Sequence, residues 1–136
     1  MISEQPQLNQ FYWKPVLAAA MNEMGKTLSD SVFEYLMKHE KVRVCSEKNL
    51  SGHADEVTFL ILSNMALKHC LSKELAHLQN LRELDLSGNS LCGQIPDLIG
   101  HCLVRLTVLN LNKNSFTGEI PGSLCELEGL ISLNLR

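Results

Sequence analysis

The run Ala20-Met21-Asn22-Glu23-Met24-Gly25-Lys26-Thr27 places Gly, Lys and Thr at the spacing of a relaxed phosphate-binding loop. In such a loop a glycine-rich backbone turns its N–H groups onto phosphate oxygens while the lysine neutralises their charge. That chemistry needs a buried strand before the loop and a helix after it. The match here falls inside a helical pattern, so nucleotide binding through Ala20 to Thr27 stands only as a remote alternative. Cysteine chemistry is the next candidate. Cys45, Cys70, Cys92, Cys102 and Cys125 are odd in number and follow no tight pairing pattern, which favours reduced thiols inside a cell over a disulfide framework. Asn49-Leu50-Ser51 is a glycosylation sequon, meaningful only in a secreted chain.

Composition narrows the field further. The chain has 136 residues, enough for one domain with a modest core. A net charge of -3 with scattered Lys and Arg offers no basic stripe for phosphates, which argues against a nucleic-acid partner. No apolar run approaches the roughly 20 residues of a membrane span. The opening MISEQPQLNQ lacks the basic-then-apolar order of a signal peptide. These features together lead to the expectation of a cytoplasmic or other intracellular protein, with an extracellular location as the alternative for a receptor-like chain.

The elements that hold these residues follow from a repeat. Leu81-x-x-Leu84-x-Leu86-x-x-Asn89-x-Leu91-x-Gly93-x-Ile95-Pro96 returns further along as Leu106-x-x-Leu109-x-Leu111-x-x-Asn114-x-Phe116-x-Gly118-x-Ile120-Pro121. One period earlier, Val57, Leu60, Leu62, Leu67 and Leu71 hold the apolar positions, with Met65 for Asn, His69 for Gly and Ser72 for Pro. One period later come Leu130, Leu133 and Leu135. Alternate leucines such as Leu84 and Leu86 share one face of a short strand and point inward, while Glu83, Asp85 and Ser87 point out.

This pattern resembles the leucine-rich repeat family, and the trailing L-x-G-x-I-P resembles its plant-type subclass, found in receptor ectodomains and cell-wall enzyme inhibitors. The resemblance covers Val57 to Arg136 and implies an α/β solenoid, a right-handed coil with parallel β-strands on its concave face. It also implies that Asn89 and Asn114 turn inward, bond backbone groups where the strand bends away, and form a ladder from one repeat's Asn to the next.

Residues 1–56 do not match the repeat. Leu17, Met21, Met24, Leu28, Val32 and Leu36 recur at helical spacing, Gly25 weakens the middle, and Thr27 or Ser29 could cap a second helix. A solenoid needs its apolar first turn covered, so 1–56 is expected to be a helical N-terminal cap with its connection, and 57–136 about three and a half repeats. Ending at LISLNLR, inside a fourth repeat, leaves a strand edge and an apolar end open. The expectation is that the array continues beyond Arg136, or that a second copy or a partner chain covers that edge.

Outward residues of aligned strands form columns on the concave face, the surface solenoids use for binding. The columns read Phe59, Glu83, Val108, Ser132 and Ile61, Asp85, Asn110, Asn134. Phe59 and Ile61 are apolar where solvent is expected, so the N-terminal segment or a partner should cover them. No column sets a nucleophile beside a base, so no catalytic residue is expected, and no cofactor. His77, His101 and Glu126 stack on the convex side, but mixed ligand types in diverging repeats fit solvated surface better than a metal site. Cys102 is expected to be a small buried hydrophobe and Cys92 the more exposed thiol. Phe11, Tyr12 and Trp13 form an aromatic cluster suited to packing on the cap or to anchoring a partner. The reading that follows is a non-catalytic interaction or assembly module for a protein or peptide, with ligand recognition in a plant-type receptor or inhibitor as its alternative.

Overall fold

A computed structural model describes residues 13–44 and 57–135. Cys45, the Asn49 sequon, Phe11, Tyr12 and Arg136 lie outside the described residues. The chain begins with two helices, α1 (Trp13–Glu23) and α2 (Asp30–Lys38). Gly25, at φ 83°, stops the first: its N–H bonds Asn22 O, and the Lys26 N–H reaches back to Met21 O at 2.9 Å, a left-handed helix end that glycine adopts without strain. Ser29 starts the second, its side chain accepting from the Val32 N–H.

That helix end also corrects the phosphate-loop alternative. Ala20 is fully buried in α1, and the N–H groups of Gly25 and Lys26 are spent closing the helix. What precedes Gly25 is helix rather than strand, so no backbone cradle is left for a phosphate.

Strands follow at every repeat. β1 (Val42–Val44) pairs antiparallel with β2 (Val57–Ile61), and β2 pairs in parallel with β4 (Glu83–Asp85), which continues to β6 (Val108–Asn110) and β8 (Ser132–Asn134). A second parallel sheet runs β3 (Lys68–Cys70), β5 (Ser90–Gly93), β7 (Ser115–Phe116). The outer side of the coil is a 3-10 turn (Lys73–His77) and two short helices, α3 (Asp97–Cys102) and α4 (Gly122–Cys125). This is the α/β solenoid expected from the repeat, with a helical N-terminal cap.

The leucines fill the space between the sheets. Leu60, Leu84 and Leu109 are fully buried in one column and Leu62, Leu86 and Leu111 in the next, each side chain worth about 2 kcal/mol of removal from water. α1 adds Trp13, Leu17, Met21 and Met24 to the same core. It is joined to the first turn by the Lys68 N–H to Met24 O (2.8 Å) and by Ser72 Oγ to Glu23 Oε1 (2.5 Å).

One register departs from the repeat alignment. The alignment sets Leu91 beside Leu67 and Phe116 beside Leu91, yet the second sheet pairs Leu91 with His69 and Phe116 with Gly93. Successive turns therefore slide by two positions there, while the first sheet keeps the repeat spacing.

His69 stands where the regular repeats have Gly93 and Gly118, and all three are left-handed, at φ 71°, 77° and 80°. A side chain in that region is strained where glycine is not. His69→Gly should therefore raise stability by roughly 0.5–1 kcal/mol, read as a higher urea midpoint at unchanged slope. A lower midpoint would mean that His69 makes a contact worth more than its strain.

Candidate interaction surface

The first sheet lays its outward residues in two rows. Strand pairing sets Phe59, Glu83, Val108 and Ser132 side by side in one, and Ile61, Asp85, Asn110 and Asn134 in the other. From Phe59 to Asn110 these side chains are half-buried, while Ser132 and Asn134 are exposed.

Two residues of the second row are occupied in local turns. Asp85 Oδ1 accepts from the Ser87 N–H (2.9 Å) and hydroxyl (2.6 Å), and Asn110 Oδ1 accepts from the Asn112 N–H (3.0 Å). These bonds end the strands and hold the side chains down. Glu83, in the first row, lies between Phe59 and Val108.

The N-terminal segment reaches the face at one end. β1 extends the sheet, the Ile61 N–H bonds Lys41 O (2.6 Å), and the Arg43 guanidinium sits 4.4 Å over the Phe59 ring. Phe59 is thereby partly covered by a cation–π contact and stays half-buried, while Arg43 is exposed. Arg43 was absent from the columns read in the sequence. The alternation Val42-Arg43-Val44 in the connection was its signal.

Beneath the face lie the two asparagines. Asn89 Oδ1 accepts from the N–H groups of Met65 (2.9 Å) and Leu67 (3.0 Å), and its Nδ2 donates to the carbonyls of Leu62, Leu86 and Ser87. Asn114 accepts from the Leu91 N–H and donates to the carbonyls of Leu86, Leu111 and Asn112. The expected side-chain ladder takes a different form: the two asparagines meet only at the shared Leu86 carbonyl, and each binds the backbone of its own turn and the turn before.

The outer side carries two histidines beside carboxylates. His77 lies on Glu74 and His101 on Asp97 (2.8 Å), each within its own turn. Among the described residues no group of three or more His, Cys, Asp or Glu is placed to hold a metal ion. Hydrogen bonding by Ser123 is the largest cause that lowers the Asp97 carboxyl from its ordinary value; desolvation opposes it, and the His101 ring adds to the lowering. A depressed folded pKa contributes stability above the unfolded value and loses it as pH falls through the folded one. His101→Ala should move the Asp97 midpoint up in a carboxyl NMR titration, since the ring lies 2.8 Å from its carboxylate; an unmoved midpoint would remove His101 as a cause. Cys102 is half-exposed rather than buried, and Cys70, Cys92 and Cys125 are all exposed. A groove of about 860 Å³ runs along the stacked L-x-G-x-I-P segments, lined by Lys73, Gln94, Asp97, Glu119 and Ile120 among others.

Comparison with known proteins gives the geometry its context. The family pattern described as Leucine Rich Repeat matches residues 80–102 and 105–127. The chain belongs to the plant-type leucine-rich repeat family. This repeat protein is 44% identical to receptor-like protein 15 of Arabidopsis thaliana over 135 residues, covering 90% of the chain and 14% of the relative. Among solved structures it is similar to the ectodomain of the receptor kinase SOBIR1 of the same plant, with 27% identity and a TM-score of 0.73 over 90% of this chain and 64% of that one. It also resembles the Arabidopsis receptor kinase HAESA, solved with a peptide hormone and a co-receptor, at 33% identity and a TM-score of 0.54, covering 57% of this chain and 13% of that one. The chain spans about a tenth of the length of the first curated relatives it matches. These relatives are receptor-like, which favours the extracellular alternative and lends nothing to the intracellular expectation. No helix among the described residues is long and apolar enough to cross a membrane.

Proposed function

We propose that this repeat protein is a non-catalytic recognition segment of an extracellular, receptor-like chain, binding a protein or peptide across the first concave row. The observation that carries this is the row itself. Arg43, Phe59, Glu83 and Val108 present a cation, an aromatic face, a carboxylate and an aliphatic side chain in sequence along one sheet. Such a strip fits an extended peptide with an apolar anchor beside a basic residue, and aromatic and Arg side chains supply most of the energy at interfaces. Relatives named as receptor-like proteins, and a structural neighbour solved with a peptide hormone, support the same reading.

The test is selection of displayed random peptides on the immobilised chain, followed by the variants Glu83→Arg and Val108→Arg. Both positions are half-buried on the open face, so the fold should survive and a melting curve verifies it. Selected peptides should lose at least tenfold in affinity with either variant. Peptides that bind both variants equally well would place recognition elsewhere. Secretion has its own readout: expression through a plant secretory pathway should add a glycosidase-sensitive mass that Asn49→Gln removes.

A further inference from the structure

Cys70 and Cys92 occupy non-equivalent positions in their repeats, so nothing in the sequence pairs them. The slide of the second sheet changes that. β3 and β5 run parallel with Cys70 directly opposite Cys92. Neighbouring strands lie about 4.8 Å apart, inside the roughly 4.4–6.8 Å Cα separation that a disulfide spans. Both thiols are exposed, so an oxidant reaches them and no core packing has to move. The Cys70 sulfur lies against β5. A Cβ built on Gly93, the residue after Cys92, would lie 3.2 Å from Cys70 Sγ, so that sulfur already reaches over β5. Cys102 and Cys125 stand apart from this sheet, at the last positions of α3 and α4.

We infer that Cys70 and Cys92 are a disulfide-forming pair that staples the first repeat turn to the second under oxidising conditions. The oxidant is a low-molecular-weight disulfide. One protein thiolate attacks it, forming a mixed disulfide and releasing one small thiol; the second protein thiolate then attacks the mixed disulfide and releases the other. The two protein S–H groups lose their protons, and two electrons reduce the small disulfide to two thiols. The staple joins the turn that lacks the Asn, Gly and Pro of the repeat to the first turn that has them. Closing that loop restricts the unfolded chain and stabilises the stack at its least regular joint. The compartment proposed above supplies the right conditions, but the pairing is a property of the fold and is tested without reference to it.

The experiment equilibrates the full chain in oxidised glutathione, blocks remaining thiols with iodoacetamide, and maps the peptides by mass. The expected product is one cross-link joining Cys70 to Cys92, with a Tm roughly 5–10 °C above the reduced protein and no such difference in Cys70→Ser or Cys92→Ser. Five alkylated cysteines in the oxidised, folded protein would overturn the inference. So would a cross-link that joins either residue to Cys45, Cys102 or Cys125 in preference. Failure here leaves the Asn49 mass test of secretion untouched, so the two readings fall separately.

Discussion

Asn89→Ala should cost about 3–5 kcal/mol, lowering Tm by on the order of 10–15 °C in thermal unfolding followed by circular dichroism. The side chain engages five backbone groups: its oxygen accepts from two N–H groups, and its two amide hydrogens are shared among three carbonyls. Alanine offers none, and each buried group left unmet costs about 1–3 kcal/mol, reduced where water enters beside a half-buried site. Asn89→Asp separates the two halves of the bracket. It keeps the acceptor for Met65 and Leu67 but sets a carboxylate against the carbonyls of Leu62, Leu86 and Ser87. Its defect should therefore approach that of alanine at neutral pH and ease in acid, where a proton restores a donor. Asn114→Ala releases four backbone groups and should cost somewhat less. A loss below about 1 kcal/mol for Asn89→Ala would mean that solvent fully replaces the bracket.

The direction of those bonds also explains Met65. Each asparagine secures its own turn and the one before it, so the Asn of a first repeat would reach into a segment that is not a repeat. In its place the cap secures the turn, with Met24 O accepting from Lys68 and Met65 half-buried against the core. A residue that breaks the pattern in sequence thus marks where the coil meets its cap.

How far the sequence was legible depended on the spacing that governed each feature. The concave rows were readable because the first sheet keeps the period of the repeat, which a template preserves. The second sheet was not, because its slide arises from how neighbouring turns stack, and no single repeat encodes it. The break between α1 and α2 was legible in kind, since Gly25 and Ser29 are local signals, but Thr27 and Ser29 competed equally until the Val32 N–H was seen to choose Ser29. Arg43 escaped because so short a strand inside a polar connection carries little pattern. Its place beside Phe59 depends on an antiparallel pairing that only the folded chain reveals.

Gly100→Ala should destabilise by about 2 kcal/mol, the overpacking cost less the gain in helix propensity, whereas Gly122→Ala, at the start of the next outer helix, should be neutral or stabilising. Gly100 lies within α3 at an ordinary helical angle, so its need for glycine is steric and not conformational. A Cβ there would meet the Ser123 backbone carbon and Cβ at 2.6 Å as well as its hydroxyl, far inside van der Waals contact. Backbone cannot rotate away as a flexible side chain can, so α3 and α4 must part, at an overpacking cost of about 3 kcal/mol. Parting would also stretch the 2.7 Å bond from Ser123 Oγ to the Asp97 carbonyl. The higher helix propensity of alanine returns about 1 kcal/mol of this. Gly122 opens α4 with nothing within 4 Å of the same Cβ, so only the propensity gain remains. The pair is read together in urea unfolding at constant slope. Equal midpoints would mean that the helices separate freely and that the outer side of the coil, unlike its leucine columns, tolerates loose stacking.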